Sequence, residues 1–140
     1  MDTKKLVIAI LAGFAVQMGG NFLVHSVWLK DDYVTTAQLW RMPDEITSRI
    51  WAIAIAALVY VIGAGLIYAK GIEDKPWLMQ GLRFGVLLTM VQAFYSNVIM
   101  WVVMPLPHEL STKMLIGDTV VTFLLALVLA ALYRPEFEEA

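Results

Sequence analysis

IWAIAIAALVYVIGAGLIYA, residues 50–69, carries no charged side chain. A helix rises about 1.5 Å per residue, so roughly 20 apolar residues match a hydrocarbon core of about 30 Å. This stretch therefore reads as a helix that crosses a bilayer. The same reading extends to either side of it. Leu6–Leu29, Trp77–Leu106 and Met114–Tyr133 have similar length and character, and the polar segments between them are too short for a soluble domain. The expectation is one all-α membrane domain spanning residues 1–140, a four-transmembrane-helix bundle with helices at about 5–29, 43–69, 76–104 and 107–133.

Composition excludes several classes of function. The chain is 60% hydrophobic and 16% charged, with a mean hydropathy of +0.72, far from the balance of a water-soluble domain. A net charge of −2 leaves no broad basic face, so no nucleic-acid partner is expected. Cysteine is absent, which removes disulfides, thiolate catalysis and Cys-ligated metal sites. Lys4 and Lys5 before an apolar run resemble a signal peptide. But the run continues to Leu29, past the usual apolar stretch of roughly 7–15 residues, and no A-x-A site closes it. An uncleaved first membrane helix is expected.

Orientation is read from Lys and Arg. Lys4, Lys5, Lys70, Lys75, Arg83 and Arg134 fall on one side; Lys30, Arg41, Arg49 and Lys113 fall on the other. The larger group places both termini in the cytoplasm. Trp28, Tyr33, Trp40 and Trp51 are expected at the outer headgroup level, and Tyr68, Trp77 and Tyr133 at the inner one. Between Lys30 and Arg41, a short interfacial helix is predicted in the first outer loop, with Asp31 and Asp32 at its start. Tyr33, Val34, Ala37 and Trp40 would share one face of it. The tail from Arg134 onward is expected to fray.

The two halves look alike. Met42-Pro43-Asp44-Glu45-Ile46 opens the second helix and Leu106-Pro107-His108-Glu109-Leu110 the fourth, each with proline and an acid in the first turn. Tyr68 with Lys70 and Tyr133 with Arg134 close them. Two parallel two-helix repeats would give this pattern, and so would independent helix starts.

Function, where a membrane sequence displays it, shows in polar groups placed in hydrocarbon. Gly13, Gln17, Asn21 and His25 recur every four residues and share a face. Gly81, Gly85, Thr89, Gln92 and Ser96, flanked by Tyr95 and Asn97, form a second stripe; Asp118, Thr122, Ala126 and Ala130 form a third. The second helix offers Ala52, Ala56, Gly63 and Tyr60. Small and amide-bearing faces let helices approach and hydrogen-bond, so these stripes are expected to meet inside the bundle. Gln17 and Gln92 fall near the midplane, and Asn21, Asn97 and Asp118 in the outer half, with His25 above them. An intramembrane aspartate costs about 2.5–3.5 kcal/mol on insertion scales, which makes Asp118 the sharpest residue. Its expected partner is His25, with Lys113 the alternative. Gln17, Asn21, His25, Gln92, Asn97 and Asp118 are thus the candidate ligand-binding or interhelical residues. Arg83 and Gln80 lie one to two turns inside the third helix, and Arg83 is expected to snorkel to the headgroups.

No catalytic residues are expected: Ser26, Ser48, Ser96 and Ser111 have no base at a diagnostic spacing. His25 and His108 could hold haem only in principle. His108 follows Pro105 and Pro107 near the surface, so no metal and no cofactor is expected.

The phrases His25-Ser26-Val27-Trp28-Leu29-Lys30-Asp31-Asp32-Tyr33, Leu39-Trp40-Arg41-Met42-Pro43 and Gly81-Leu82-Arg83-Phe84-Gly85 resemble those of small bacterial four-helix inner-membrane proteins of unknown function. The resemblance implies a bacterial cytoplasmic membrane and a four-helix bundle, and it carries no activity and no functional residues. Three functions stay open. One is a non-catalytic subunit or assembly partner, in contact with lipid and with other membrane subunits or copies of itself, using Gly81 and Gly85 as a G-x-x-x-G face. Another is a carrier or channel lined by Asp118, His25, Asn21 and Asn97. The third is a haem- or quinone-binding protein.

Overall fold

The computed structural model describes residues 2–134, and among them it contains helices and no strand. Four helices are long and apolar enough to cross a membrane: α1 (Thr3–Trp28), α4 (Ile50–Lys70), α5 (Trp77–Val103) and α6 (His108–Leu132). Two short helices, α2 (Lys30–Thr35) and α3 (Pro43–Thr47), lie in the loop between α1 and α4. The chain is an all-α four-helix membrane bundle. The tail expected to fray lies, from residue 135, outside the described residues.

The helix ends follow from local chemistry. The Asp2 carboxylate accepts from the Lys5 backbone N–H at 3.0 Å and caps α1. Pro43 starts α3, where Glu45 accepts from the Met42 N–H at 3.2 Å. The second helix, expected as one piece from residue 43, breaks after Thr47: the chain turns at Ser48 and Arg49 before α4 begins. Ser48 and Arg49 side chains donate to the Glu45 carbonyl, which ends α3 there.

α6 is the central helix. In its most apolar stretch 39% of residues are buried, against 22% in α1 and α4 and 17% in α5. It packs along both α1 and α5, and α4 packs on α1, giving the order α4–α1–α6–α5. α4 and α5 meet near their inner ends, where the Tyr68 and Phe84 rings are 5.2 Å apart. Val61, Leu125, Leu129, Ala126 and Ala130 are fully enclosed between these helices, while Val7, Leu11, Ile55, Val59 and Val91 face outward, as a bilayer requires. Lys5 Nζ reaches the Arg134 carbonyl at 3.4 Å, so the two ends of the described chain share one end of the bundle.

Three expectations are corrected. Ala52 and Ala56 are exposed, and Gly63 has open space where a Cβ would stand; α4 instead buries Ala57, Val61, Ala64, Gly65 and Tyr68. Alanines occur on both faces of α4, so spacing alone does not choose between them. The Gly81/Gly85 face is not free for another chain. A Cβ at Gly81 would meet Leu127 and Ala130, and one at Gly85 would meet Phe123, all on α6. Finally, Tyr68 and Tyr133 are not headgroup anchors: they are 4% and 2% exposed and pack edge to face in the core. Trp28 and Trp51 are exposed.

Candidate functional site

The polar residues of α1, α5 and α6 converge around Asp118, in the half of the bundle away from the two ends of the described chain. His25 Nε2 lies 3.0 Å from Asp118 Oδ1, and Asn97 Nδ2 donates to Oδ2 at 2.7 Å. The other ring nitrogen of His25 is 2.6 Å from the Tyr33 hydroxyl. Three membrane helices and the outer helix α2 thus share one hydrogen-bonded chain: Tyr33, His25, Asp118, Asn97.

Local backbone irregularities put these side chains in place. α1 widens to π geometry over Leu23–Trp28, closed by the Leu29 N–H on the Val24 carbonyl at 2.9 Å. α5 does the same over Thr89–Phe94. A π turn spans five residues where an α turn spans four, so it rotates the succeeding residues about the helix axis, and such turns recur at functional sites. His25 sits within the first; Asn97 lies just beyond the second. Polar side chains satisfy the carbonyls that the second leaves: Asn97 Nδ2 donates to Ala93 O at 2.9 Å and Ser96 Oγ to Gln92 O at 2.8 Å. On α6, Gly117 allows the approach. A Cβ there would clash with Val24, so only glycine lets α1 come close enough for His25 to reach the next residue, Asp118.

Burial, then the charges of Asp118 and Asp32, push the Tyr33 hydroxyl from 10.0 up to about 12, so it keeps its proton at physiological pH. In the tautomer that carries the proton on His25 Nε2, Tyr33 donates to Nδ1 and Nε2–H donates to the Asp118 carboxylate, whose second oxygen accepts from Asn97. Every bond in this pattern joins one donor to one acceptor. The Thr122 hydroxyl closes the inner side by donating to the Asp118 carbonyl at 2.7 Å.

The outer loop forms a lid over the chain. Tyr33 packs edge to face on Trp40 at 5.1 Å, and Trp40 Nε1 donates to Thr36 Oγ1 at 2.9 Å. Leu29, Leu106, Leu110 and Met114 form the apolar cluster beneath. The interfacial helix exists, but its inward face is Tyr33, Thr36, Leu39 and Trp40. Val34 and Ala37 point outward, because the α geometry stops at Thr35 and a single 3-10 turn follows. Lys113, the alternative partner for Asp118, instead holds Asp32 at 3.1 Å and Glu109 at 2.8 Å.

Of the six sequence candidates, His25, Asn97 and Asp118 meet. Gln17 is buried deeper in α1, its side-chain oxygen without a hydrogen-bond partner. Asn21 and Gln92 are half-buried and contribute no side-chain bond to the chain among the described residues. Tyr33 is the member that the sequence pattern assigns elsewhere, to the headgroup belt. Its helical distance from His25, one residue beyond i+7, was the available signal, and the π turn makes it usable. Among the described residues no group of three His, Asp or Glu side chains could hold a metal ion. Both ring nitrogens of His25 are within hydrogen-bond distance of Tyr33 and Asp118, and the His108 ring lies 5.3 Å from that of Trp101.

No protein-family model, curated protein or solved structure matches this chain.

Proposed function

We propose that the protein is a non-catalytic multi-pass subunit or assembly partner in a bacterial inner membrane, with both termini cytoplasmic. The observation that carries this reading is the closure of the Tyr33–His25–Asp118–Asn97 chain. Each donor has an acceptor within the protein, so the costly intramembrane carboxylate serves to fix α1, α5 and α6 against one another. A nucleophile or transport site needs groups left open for a substrate; Tyr33 holds its proton up to about pH 12, and each Asp118 carboxylate oxygen already has a partner within the protein. Inward of the chain, Val121, Leu125 and Leu129 are enclosed, which supports a packed strut over a pore. Contact with a second chain is supported by the outward face of α4, where Ala52, Ala56 and Gly63 allow close helix approach. Six cations against four, and the resemblance to bacterial inner-membrane proteins, support the orientation and location.

The test is affinity purification of the tagged protein from native membranes, alone and as Ala56→Leu. The reading expects a second membrane chain, or a second copy, held by the parent and lost by the variant. Recovery of a monomer with no companion from both would overturn it.

One observation favours a second reading, a proton-linked carrier: the His25 and Asp118 side chains keep 32% and 21% of their surface accessible. A proton-driven flux in proteoliposomes that Asp118→Asn abolishes would move the assignment there.

A further inference from the structure

At the opposite end of the bundle, α4 and α5 diverge from the Tyr68–Phe84 contact and leave a lateral groove of about 460 Å³. That volume lies within the range of ligand sites, roughly 300–1,000 Å³. Its walls are Ile67 on α4 and Phe84, Leu87, Leu88 and Val91 on α5. Ile67, Leu87 and Val91 are also exposed to the surroundings of the bundle, so the groove opens sideways, where acyl chains lie. Tyr68 also lines it. Tyr68 is 4% exposed, and its hydroxyl has no hydrogen-bond partner, an arrangement that is unfavourable when nothing fills it.

The rim of the groove is charged and braced. Arg83 Nη1 donates to Glu73 Oε1 at 2.6 Å, and Lys75 Nζ lies 2.5 Å from Glu73 Oε2. Two cations thus share one carboxylate, and their contacts, Lys75 first, hold the Glu73 carboxyl below the usual carboxylate range. Gln80, itself buried, fixes this loop: it donates to the Glu73 and Lys75 carbonyls and accepts from the Glu73 N–H. Arg83 has five N–H donors, and its bond to Glu73 uses one. Its side chain is 56% exposed, so the guanidinium is free to receive a phosphate in bidentate fashion. From Arg83 to Val91 the groove follows about 12 Å of helix, the step from headgroup depth into the acyl region.

We infer that this groove binds one anionic phospholipid from the leaflet on the side of the two termini. Its phosphate sits on Arg83, an ester carbonyl accepts from the Tyr68 hydroxyl, and one acyl chain lies along Phe84, Leu87 and Val91. Charge selects the ligand: the exposed Arg83 guanidinium, with donors left over from its bond to Glu73, recognises an anionic headgroup, and an uncharged quinone offers it no anion. The assignment is independent of the Tyr33–His25–Asp118–Asn97 chain at the other end.

The experiment is native mass spectrometry of the full-length protein in detergent, titrated with phosphatidylglycerol or phosphatidylcholine. One phosphatidylglycerol should bind, about tenfold tighter than phosphatidylcholine. Arg83→Gln should remove that preference, and Leu87→Trp, on the exposed wall, should weaken both lipids. Glu73→Gln removes the competing carboxylate and should tighten phosphatidylglycerol alone. Lys30→Gln, at the far end, should change nothing. Equal binding of both lipids, an unchanged preference in Arg83→Gln, or an equal loss in Lys30→Gln would overturn the site.

Discussion

Asp118 and Asn97 can exchange chemistry without exchanging shape. Asp118→Asn keeps an oxygen for His25 but turns an amide toward the amide of Asn97, a donor against a donor. The expected cost is about 1–2 kcal/mol, read by thermal unfolding in micelles. The double exchange Asp118→Asn with Asn97→Asp restores donor to acceptor across the same gap, and should recover at least half of that loss. No recovery would mean that the Asn97 bond contributes little. Tyr33 gives a second handle. Its folded-state value is raised, to about 12 from 10.0, so its stabilising contribution is complete below pH 10 and is lost as pH rises through 12. Alkaline melting curves should therefore show a loss between pH 10 and 12 that shrinks in Tyr33→Phe; identical curves would remove Tyr33 from the chain. At this scale His25, Asn97 and Asp118 were legible, because polar groups spaced along a helix face in hydrocarbon must find one another. Tyr33 was not, since an aromatic beside charged residues in an outer loop suits a headgroup position equally well.

Between elements, the contact of α1 with α6 depends on Gly117. Gly117→Val would drive its side chain into Val24 and spread the two helices, with an expected loss of about 1–3 kcal/mol in unfolding measurements. Adding Val24→Ala vacates that space and should return part of it; a double variant no better than the single one would mean that the close approach is not at this pair. The close packing of Gly81 and Gly85 was visible as small-residue spacing, but not its partner, because a G-x-x-x-G face serves a neighbour in the same chain as readily as another chain. The π turns of α1 and α5 were not legible at all. No local residue pattern marks them. They also fall at different distances from the start of their helices, after Phe22 in α1 and after Leu88 in α5. Two strictly equivalent halves would place them alike, so the shared Pro-acid helix starts do not extend to a shared interior.

For the molecule as a whole, the four crossings were plain in the sequence, since length and apolarity suffice. The arrangement α4–α1–α6–α5 was not, because lipid-facing and core-facing residues are equally apolar. The native chain has no cysteine, so single cysteines report topology cleanly. Cysteines at Gln38 and Thr112 should react with an impermeant thiol reagent on intact cells, and those at Lys4 and Asp74 only after the membrane is opened. The reverse pattern would invert the orientation. Besides the apolar core, one polar link joins α1 to α6, from the π turn of α1 to Asp118. A double-mutant cycle of His25→Ala and Asp118→Ala, read by unfolding in micelles, measures that link. The expected coupling is about 1 kcal/mol or more, with each single variant losing most of what the double loses. Additive losses, agreeing within about 0.3 kcal/mol, would show that the two side chains do not hold the helices together.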